Sequence, residues 1–81
     1  MKISAAQLRA ARALLGMSQD ALAEESSVAK RTIASFESER RTPYPRTIKA
    51  LCEVLEAKGV QFIAENGGGA GVRLAKPGSG E

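Results

Sequence analysis

The sequence feature that most constrains the fold runs from residue 18 to residue 37, SQDALAEESSVAKRTIASFE. It predicts two short helices with a tight break at Ser26-Ser27 between them. In the second helix, Ile33 and Phe36 are three positions apart and share one side, which we expect to be buried. Helices this short are not stable alone, so the rest of the chain has to provide surfaces on which they pack.

The segment before this stretch predicts one further helix, from about residue 4 to residue 15. Ser4 and Gln7 have the spacing of a capping box, in which the two side chains satisfy backbone donors at a helix start. Gly16 is suited to end the helix because glycine adopts the left-handed conformation without steric cost. One face of the helix is apolar and carries Leu8, Ala11 and Leu15.

The segment after the central stretch predicts a fourth helix and then two strands. Pro45 suits the first helical position, where its missing N–H costs nothing, and Lys58 and Gly59 end the helix. Beyond it, apolar and polar residues alternate, which predicts strands at 61–65 and 72–75 around a glycine-rich loop. The apolar face of the fourth helix has the clearest helical spacing in the chain, with Ile48, Leu51, Cys52 and Leu55.

Composition excludes several kinds of site. The 81 residues include no histidine and a single cysteine, Cys52, which we expect to be a buried apolar residue, with a redox role as the minor alternative. An internal disulfide and a zinc site of cysteine and histidine are therefore excluded, and an intracellular compartment is expected. No apolar run is long enough for a signal peptide or a membrane span. We expect no enzyme and no cofactor, because no phosphate-binding glycine motif opens a helix.

Basic residues are concentrated in the middle of the chain, although the formal net charge is only +3. A local basic excess suits a polyanion surface, but a solvated basic face explains it equally well from charge alone. Between residues 26 and 49 the acids are Glu37 and Glu39, and the basic residues are Lys30, Arg31, Arg40, Arg41, Arg46 and Lys49.

Two helices joined by a short break form a helix-turn-helix pattern. In the residues LRAARALLGMSQDALAEESSVAKRTIASFESERRTP, followed by TIKALCEVL, the chain resembles the helix-turn-helix regulators of the lambda repressor, Cro and XRE type. The shared features are the Gly-x-Ser-Gln start of helix 2, its Leu-Ala pair, the Thr-Ile of helix 3 and the Glu at its end. The resemblance covers about residues 8–55. It implies a mainly α fold, a four-helix lambda-repressor-like bundle, here followed by a short C-terminal β-hairpin or strand pair.

The resemblance also implies which residues contact double-stranded DNA. Gln19 is implied to bind a phosphate and to brace helix 3. Lys30 and Arg31 are implied to contact bases or phosphates, and an arginine can hold guanine O6 and N7 with two hydrogen bonds. Arg40 and Arg41 are implied to hold the phosphate backbone, which fixes register without reading sequence. Ordinary solvated side chains are the alternative for Gln19, Lys30 and Arg31.

Further positions follow from the same resemblance. Ser35, one turn along helix 3, is expected to reach a base edge, and Thr32 or Ala34 suits a thymine methyl group or a phosphate. Ala29 stands where relatives often have serine or threonine, so it forgoes a cap of about 1 kcal/mol and a phosphate contact. Ser27 replaces the usual glycine of the break, at a cost of about 1 kcal/mol if its φ is positive.

Arg12 and Glu37 match a family pair that forms a structural salt bridge between helix 1 and the end of helix 3. This explains why the charge of Arg12 lies near the apolar stripe of helix 1. We expect that removing either partner leaves a partly buried charge, at a cost on the order of 3 kcal/mol.

The resemblance ends before the predicted strands, where many relatives have a fifth helix. An isolated two-stranded hairpin is marginal in water, and its edges are unpaired. We therefore expect a homodimer whose intersubunit sheet covers the apolar strand residues. The alternative is a hairpin folded back on its own helix 4. The apolar residues concerned are Phe62, Ile63, Val72 and Leu74.

These expectations divide the chain into a DNA-binding domain (1–59), a strand pair for dimerisation (60–76) and a disordered tail (77–81). The expected function is a sequence-specific DNA-binding transcriptional regulator of bacterial or phage type, located in the cytoplasm. It is expected to act as a repressor, binding a palindromic operator as a homodimer through helix 3 in the major groove. The alternative is a protein-interaction module on the same fold, an antitoxin or anti-activator that grips a partner protein through the C-terminal strands.

Overall fold

The computed structural model describes residues 2–75, which form four helices and one antiparallel hairpin. The mainly α bundle with a C-terminal hairpin is therefore confirmed. The elements in chain order are α1 (Ala5–Leu15), α2 (Gln19–Ser26), α3 (Lys30–Glu37), α4 (Pro45–Ala57), β1 (Val60–Ile63) and β2 (Gly71–Leu74).

Helix α1 begins one residue later than predicted because Ser4, its predicted first residue, is its N-cap, whereas α4 begins at Pro45 as predicted. Ser4 has an extended backbone, and the predicted capping box with Gln7 is present. Ser18 caps α2 in the same way, accepting a hydrogen bond of 3.0 Å from the Ala21 N–H. Gly16 ends α1 with φ +63°, as its sequence position predicts. These local bonds fix where α1 and α2 start and therefore how they meet.

The core is mainly aliphatic and takes at least one side chain from every helix. Each leucine or isoleucine that is fully removed from water contributes about 1.5–3 kcal/mol. Cys52 is 2% exposed and belongs to this core. The side chains with no exposed surface are Leu8, Ala11, Leu22, Ile33, Leu51 and Leu55.

Both hairpin strands begin one residue earlier than the predicted 61–65 and 72–75, and β1 is one residue shorter than predicted. Pairing begins at Val60, whose side chain is 2% exposed and belongs to the core, and it ends where Ile63 meets Gly71. Residues 64–70 therefore form the loop. Residue 76 of the predicted strand segment and the predicted tail 77–81 lie outside the described residues.

The register gives the hairpin one apolar face, because neighbouring side chains in a strand alternate between faces. Val60 pairs with Leu74, and Phe62 pairs with Val72. On the opposite face, the Arg73 Nε donates a hydrogen bond of 2.7 Å to the Gln61 side chain. The apolar face lies toward the bundle, where Phe62 and Val72 pack against the core.

Gln7 attaches the hairpin to α1. Its Nε2 donates to the carbonyl oxygens of Ile63 and Gly71, at 3.1 and 3.0 Å, while its Oε1 accepts the Ser4 N–H at 2.9 Å. One side chain, 8% exposed, thus joins the cap of α1 to both strands. The hairpin contacts α1 as well as α4 within its own chain.

Candidate nucleic-acid interface

Helix α3 has one buried side and one solvent-facing side. Ile33 and Phe36 are 0% and 5% exposed, so they fix the rotation of the helix against the bundle. Lys30 and Arg31 at its first turn are exposed. The helix therefore presents its cationic leading end to solvent, together with the partly exposed Thr32, Ala34 and Ser35.

An open groove of about 380 Å³ lies between α3 and the loop that follows it. The backbone places this loop beside the helix, because the N–H groups of Arg40 and Arg41 both donate to the Ser35 carbonyl, at 2.9 and 3.4 Å. Glu39, with φ +63°, makes the reversal that this return requires. The groove is lined by Arg31, Thr32, Ser35, Arg41 and Pro43. Four of the predicted DNA-binding residues are thus brought together, and Arg40 is not among the lining residues.

A buried ion pair holds α1, α2 and α3 in this arrangement. Arg12 donates two hydrogen bonds of 2.6 Å to the Glu37 carboxylate, one from Nε and one from Nη2. Gln19 donates a third, of 2.9 Å, from its Nε2. Glu37 is only 5% exposed, so these three donors satisfy a carboxylate that is almost removed from water. Gln19 is therefore positioned to brace α3, as its family role implies.

The charge state of Glu37 follows from these contacts. Burial alone raises the pKa of the carboxyl, but the hydrogen bonds from Arg12 and Gln19 and the charges of Arg12 and Arg9 oppose it. The net effect is a pKa below its ordinary value of 4.5. Glu37 is therefore ionised at neutral pH, and the ion pair is intact there.

Sequence reasoning missed the part of Arg9 in this arrangement. Its Nη1 donates to the backbone carbonyl of Glu37, which ties the end of α3 to α1 a second time. The same guanidinium lies 4.0 Å from the Glu39 carboxylate. Neither contact has a local sequence signal, because the partners are 28 residues or more apart.

The turn between α2 and α3 carries both departures that the sequence shows from the family pattern. Ser27 has φ +60°, the left-handed conformation that glycine adopts at least cost. Ala29 is the N-cap of α3, and no side chain accepts a hydrogen bond there. Within the same turn, the Ser26 hydroxyl accepts the Val28 N–H at 3.2 Å, a bond that leaves the first N–H groups of α3 without a side-chain cap.

Tyr44 and Arg46 extend the exposed surface beside the groove, and sequence reasoning did not single them out. Tyr44 is 73% exposed, and the Arg46 guanidinium carbon lies 5.7 Å from the centre of its ring. Pro45, at the first position of α4, fixes the chain direction between them. The signal that would have found this pair is an exposed aromatic residue flanked by prolines and a cation.

Other kinds of site have little support in the described residues. Burial raises the pKa of the Cys52 thiol to about 11, so it is protonated at neutral pH. Residues 2–75 hold no group of histidine, cysteine, aspartate or glutamate side chains arranged to bind a metal ion. No helix within the same residues is long and apolar enough to cross a membrane.

Comparison with known protein families agrees with this geometry. A family model described as helix-turn-helix matches residues 8–62, which is more than half of the chain and includes α2, α3 and α4 in full. A comparison with curated proteins found no match. The family model covers both helices of the turn and the groove between α3 and its following loop. The chain therefore belongs to the XRE-type, lambda repressor- and Cro-like family of DNA-binding helix-turn-helix regulators.

Proposed function

We propose that this protein is a sequence-specific transcriptional regulator that places α3 in the major groove of double-stranded DNA. The observation that carries the proposal is the groove that joins Arg31, Thr32 and Ser35 of α3 to Arg41 of the following loop. A helix supplies base contacts and a neighbouring loop supplies phosphate contacts in recognition of this kind.

Arg31 is the first residue to which we assign a base contact. Its guanidinium is exposed at the leading end of α3, and two parallel N–H donors match the acceptors of guanine in the major groove. Ser35, one turn later, suits a second base edge. Arg40 and Arg41 suit phosphates because both are cationic and exposed, and Gln19 suits another because its amide is partly exposed at the start of α2.

The test begins by selecting bound sites from random duplex DNA. With a selected site, Arg31→Ala is expected to cost about 1–3 kcal/mol and to relax the base preference at one position. Arg41→Ala is expected to weaken every sequence and to flatten the dependence of affinity on salt. Arg73→Ala removes the same charge from the exposed face of the hairpin and serves as the matched control. Wild-type affinity in both groove variants would overturn the assignment.

Repression is the regulatory mode that we assign. The protein would act in the cytoplasm, as a regulator of bacterial or phage type. Occupying a promoter needs no further activity. Transcription in vitro from a promoter that overlaps the selected site is expected to fall as the protein is added. Unchanged transcription at saturating protein would leave DNA binding in place and remove the repressor role.

A homodimer on a palindromic operator is the assembly that we assign, with two α3 helices about 34 Å apart. The hairpin supports it through its edges. The Ala75 N–H donates to the Gly59 carbonyl, so these two residues form a hydrogen-bonded pair. In an antiparallel ladder, hydrogen-bonded pairs alternate with pairs that exchange no hydrogen bonds. Phe62 and Val72 are therefore a pair of the second kind, and their backbone N–H and C=O groups point away from the hairpin. Such edges are suited to pairing with another strand. Leu74 adds an apolar side chain that is 45% exposed.

Sedimentation equilibrium tests this assembly. Leu74→Glu is expected to shift the mass from dimer toward monomer, because it places a charge at the proposed contact. Gln61→Glu changes the charge by the same amount on the opposite face, beside Arg73, and is expected to keep the dimer. A monomeric parent protein at the concentrations that bind DNA would contradict the assembly.

A further inference from the structure

An acidic side chain lies on the face that carries α3, the helix to which we assign the base contacts. Asp20 is the second residue of α2, and its carboxylate lies 3.2 Å from the Lys30 ammonium group at the start of α3. Both side chains are open to solvent, with 76% of Asp20 and 55% of Lys30 exposed. The pair therefore does not stabilise the core, and its place beside the proposed DNA contacts needs a reason.

The start of α3 explains why the pair forms. Lys30 and Arg31 lie at the positive end of the helix dipole, where cations are unfavourable. The first turn of α3 contains no acid, and Ala29 supplies no side-chain cap. Asp20 provides the missing negative charge from the neighbouring helix. Its own position in the first turn of α2 is favourable for a carboxylate.

The same pair opposes contact between Lys30 and a phosphate. A DNA phosphate and the Asp20 carboxylate are both anions and compete for one ammonium group. A lysine that is already neutralised releases no counterion from the DNA when the protein binds. An exposed ion pair is weak, so the competition reduces affinity without preventing binding.

We propose that Asp20 restrains Lys30, so that Lys30 contributes little to sequence-independent binding of DNA. This inference rests on the proposed function. It assigns Asp20 as a positioning residue that lowers non-specific affinity and increases the share of binding that comes from base contacts. Arg31 has no acidic partner within salt-bridge distance among the described residues, so the restraint acts on one of the two leading cations.

The experiment measures binding to a duplex of random sequence as a function of salt, by fluorescence anisotropy. Asp20→Asn is expected to bind about two- to fivefold more tightly at low salt. Its plot of log affinity against log salt is expected to be steeper by about 0.9, the value for one added phosphate contact. Lys30→Ala alone is expected to leave the slope unchanged. Lys30→Ala in the Asp20→Asn background is expected to abolish the gain.

Glu24→Gln is the matched control. It changes the charge by the same amount on the same helix, from an exposed acid that makes no ion pair in the described structure. A gain as large as that of Asp20→Asn would mean that overall charge, not the restraint, sets affinity. A flatter slope for Lys30→Ala in the parent would mean that Lys30 already contacts phosphate. Either result overturns the restraint while DNA binding stands, whereas a parent protein that binds no duplex overturns the proposed function itself. Because all of these side chains are exposed, the variants are expected to fold, and far-UV circular dichroism checks this.

Discussion

The helical bundle and the hairpin are held in place by different numbers of contacts. The bundle has six fully buried aliphatic side chains and a carboxylate that receives three hydrogen bonds, from Arg12 and Gln19 to Glu37. The hairpin has strands of four residues, one fully packed side chain in Val60, and the two hydrogen bonds that Gln7 makes to it.

This difference indicates how the molecule opens. Segments with few buried apolar contacts require less free energy to open than the core does. We therefore expect the hairpin to detach from α1 more often than the bundle unfolds. The face that carries α3 is held by the Glu37 contacts, so we expect the geometry of the proposed DNA interface to survive such an opening.

The largest expected effect comes from removing the central carboxylate of the bundle. Glu37→Ala leaves Arg12, which is partly buried, without its partner and is expected to lower the free energy of unfolding by about 3 kcal/mol. Urea denaturation followed by circular dichroism measures it. Glu53→Ala removes an exposed acid from α4 and is expected to change stability by less than about 0.5 kcal/mol. An equal loss of stability in the two variants would mean that the buried ion pair stabilises the bundle no more than an exposed acid does.

A pH series sharpens the same point. The folded chain lowers the pKa of Glu37 below the ordinary value of 4.5, so the unfolded chain takes up the proton first as the pH falls. The contribution of Glu37 is therefore complete well above pH 4.5 and is lost progressively below it. Denaturation of the parent between pH 7 and pH 3 is expected to show a loss that Glu37→Gln lacks. Parallel curves for the two proteins would contradict the shift.

A smaller effect is expected from detaching the hairpin. Gln7→Glu keeps the oxygen that accepts the Ser4 N–H but replaces the amide donor to Ile63 and Gly71 by an acceptor. The expected loss is about 1–3 kcal/mol, because two partly buried carbonyl groups lose a donor. Hydrogen exchange is expected to accelerate at residues 60–74 and to stay slow in α4. Ser4→Ala is the complementary control, since it removes the cap and keeps the donor. Uniform acceleration across both regions would show that they open together.

The smallest expected effect is a gain. Ser27→Gly relieves a left-handed serine at φ +60° and is expected to stabilise the bundle by up to about 1 kcal/mol. Ser38→Gly is the control, because Ser38 has φ −91° and gains nothing from glycine. Thermal unfolding compares the two. A gain confined to Ser27→Gly, with hairpin exchange unchanged, would show that strain in the turn is independent of the hairpin.

The sequence predicts the bundle well because its signals are local. The cap at Ser4, the glycine at residue 16 and the apolar spacing in α4 each act within a few residues, and all are present in the structure. The strand limits are less predictable, because Ile63 interrupts the alternation and the pairing partner decides where a short strand ends. The second role of Gln7 was not predictable, since its partners lie far along the chain.

The candidate interface divides in a similar way. The cationic start of α3 can be predicted from the sequence, and the structure places Arg31 and Ser35 around one groove with Arg41. The positive φ of Glu39, which returns the loop to α3, has no reliable sequence signal in a residue other than glycine. The ion pair of Asp20 with Lys30 depends on how two helices cross, which spacing along one helix does not determine.

The two bonds of Gln7 to the hairpin also have a consequence for the order of events during synthesis. They join positions 56 and 64 residues apart, whereas Arg12 and Glu37 are separated by 25. A ribosome adds about 5–20 residues per second, so the emerging chain holds α1 for several seconds before β2 exists. During that interval the Nε2 of Gln7 lacks both of its hairpin partners. The proposed DNA interface around α3 is therefore expected to be assembled first, and the strand edges last, in every newly made copy.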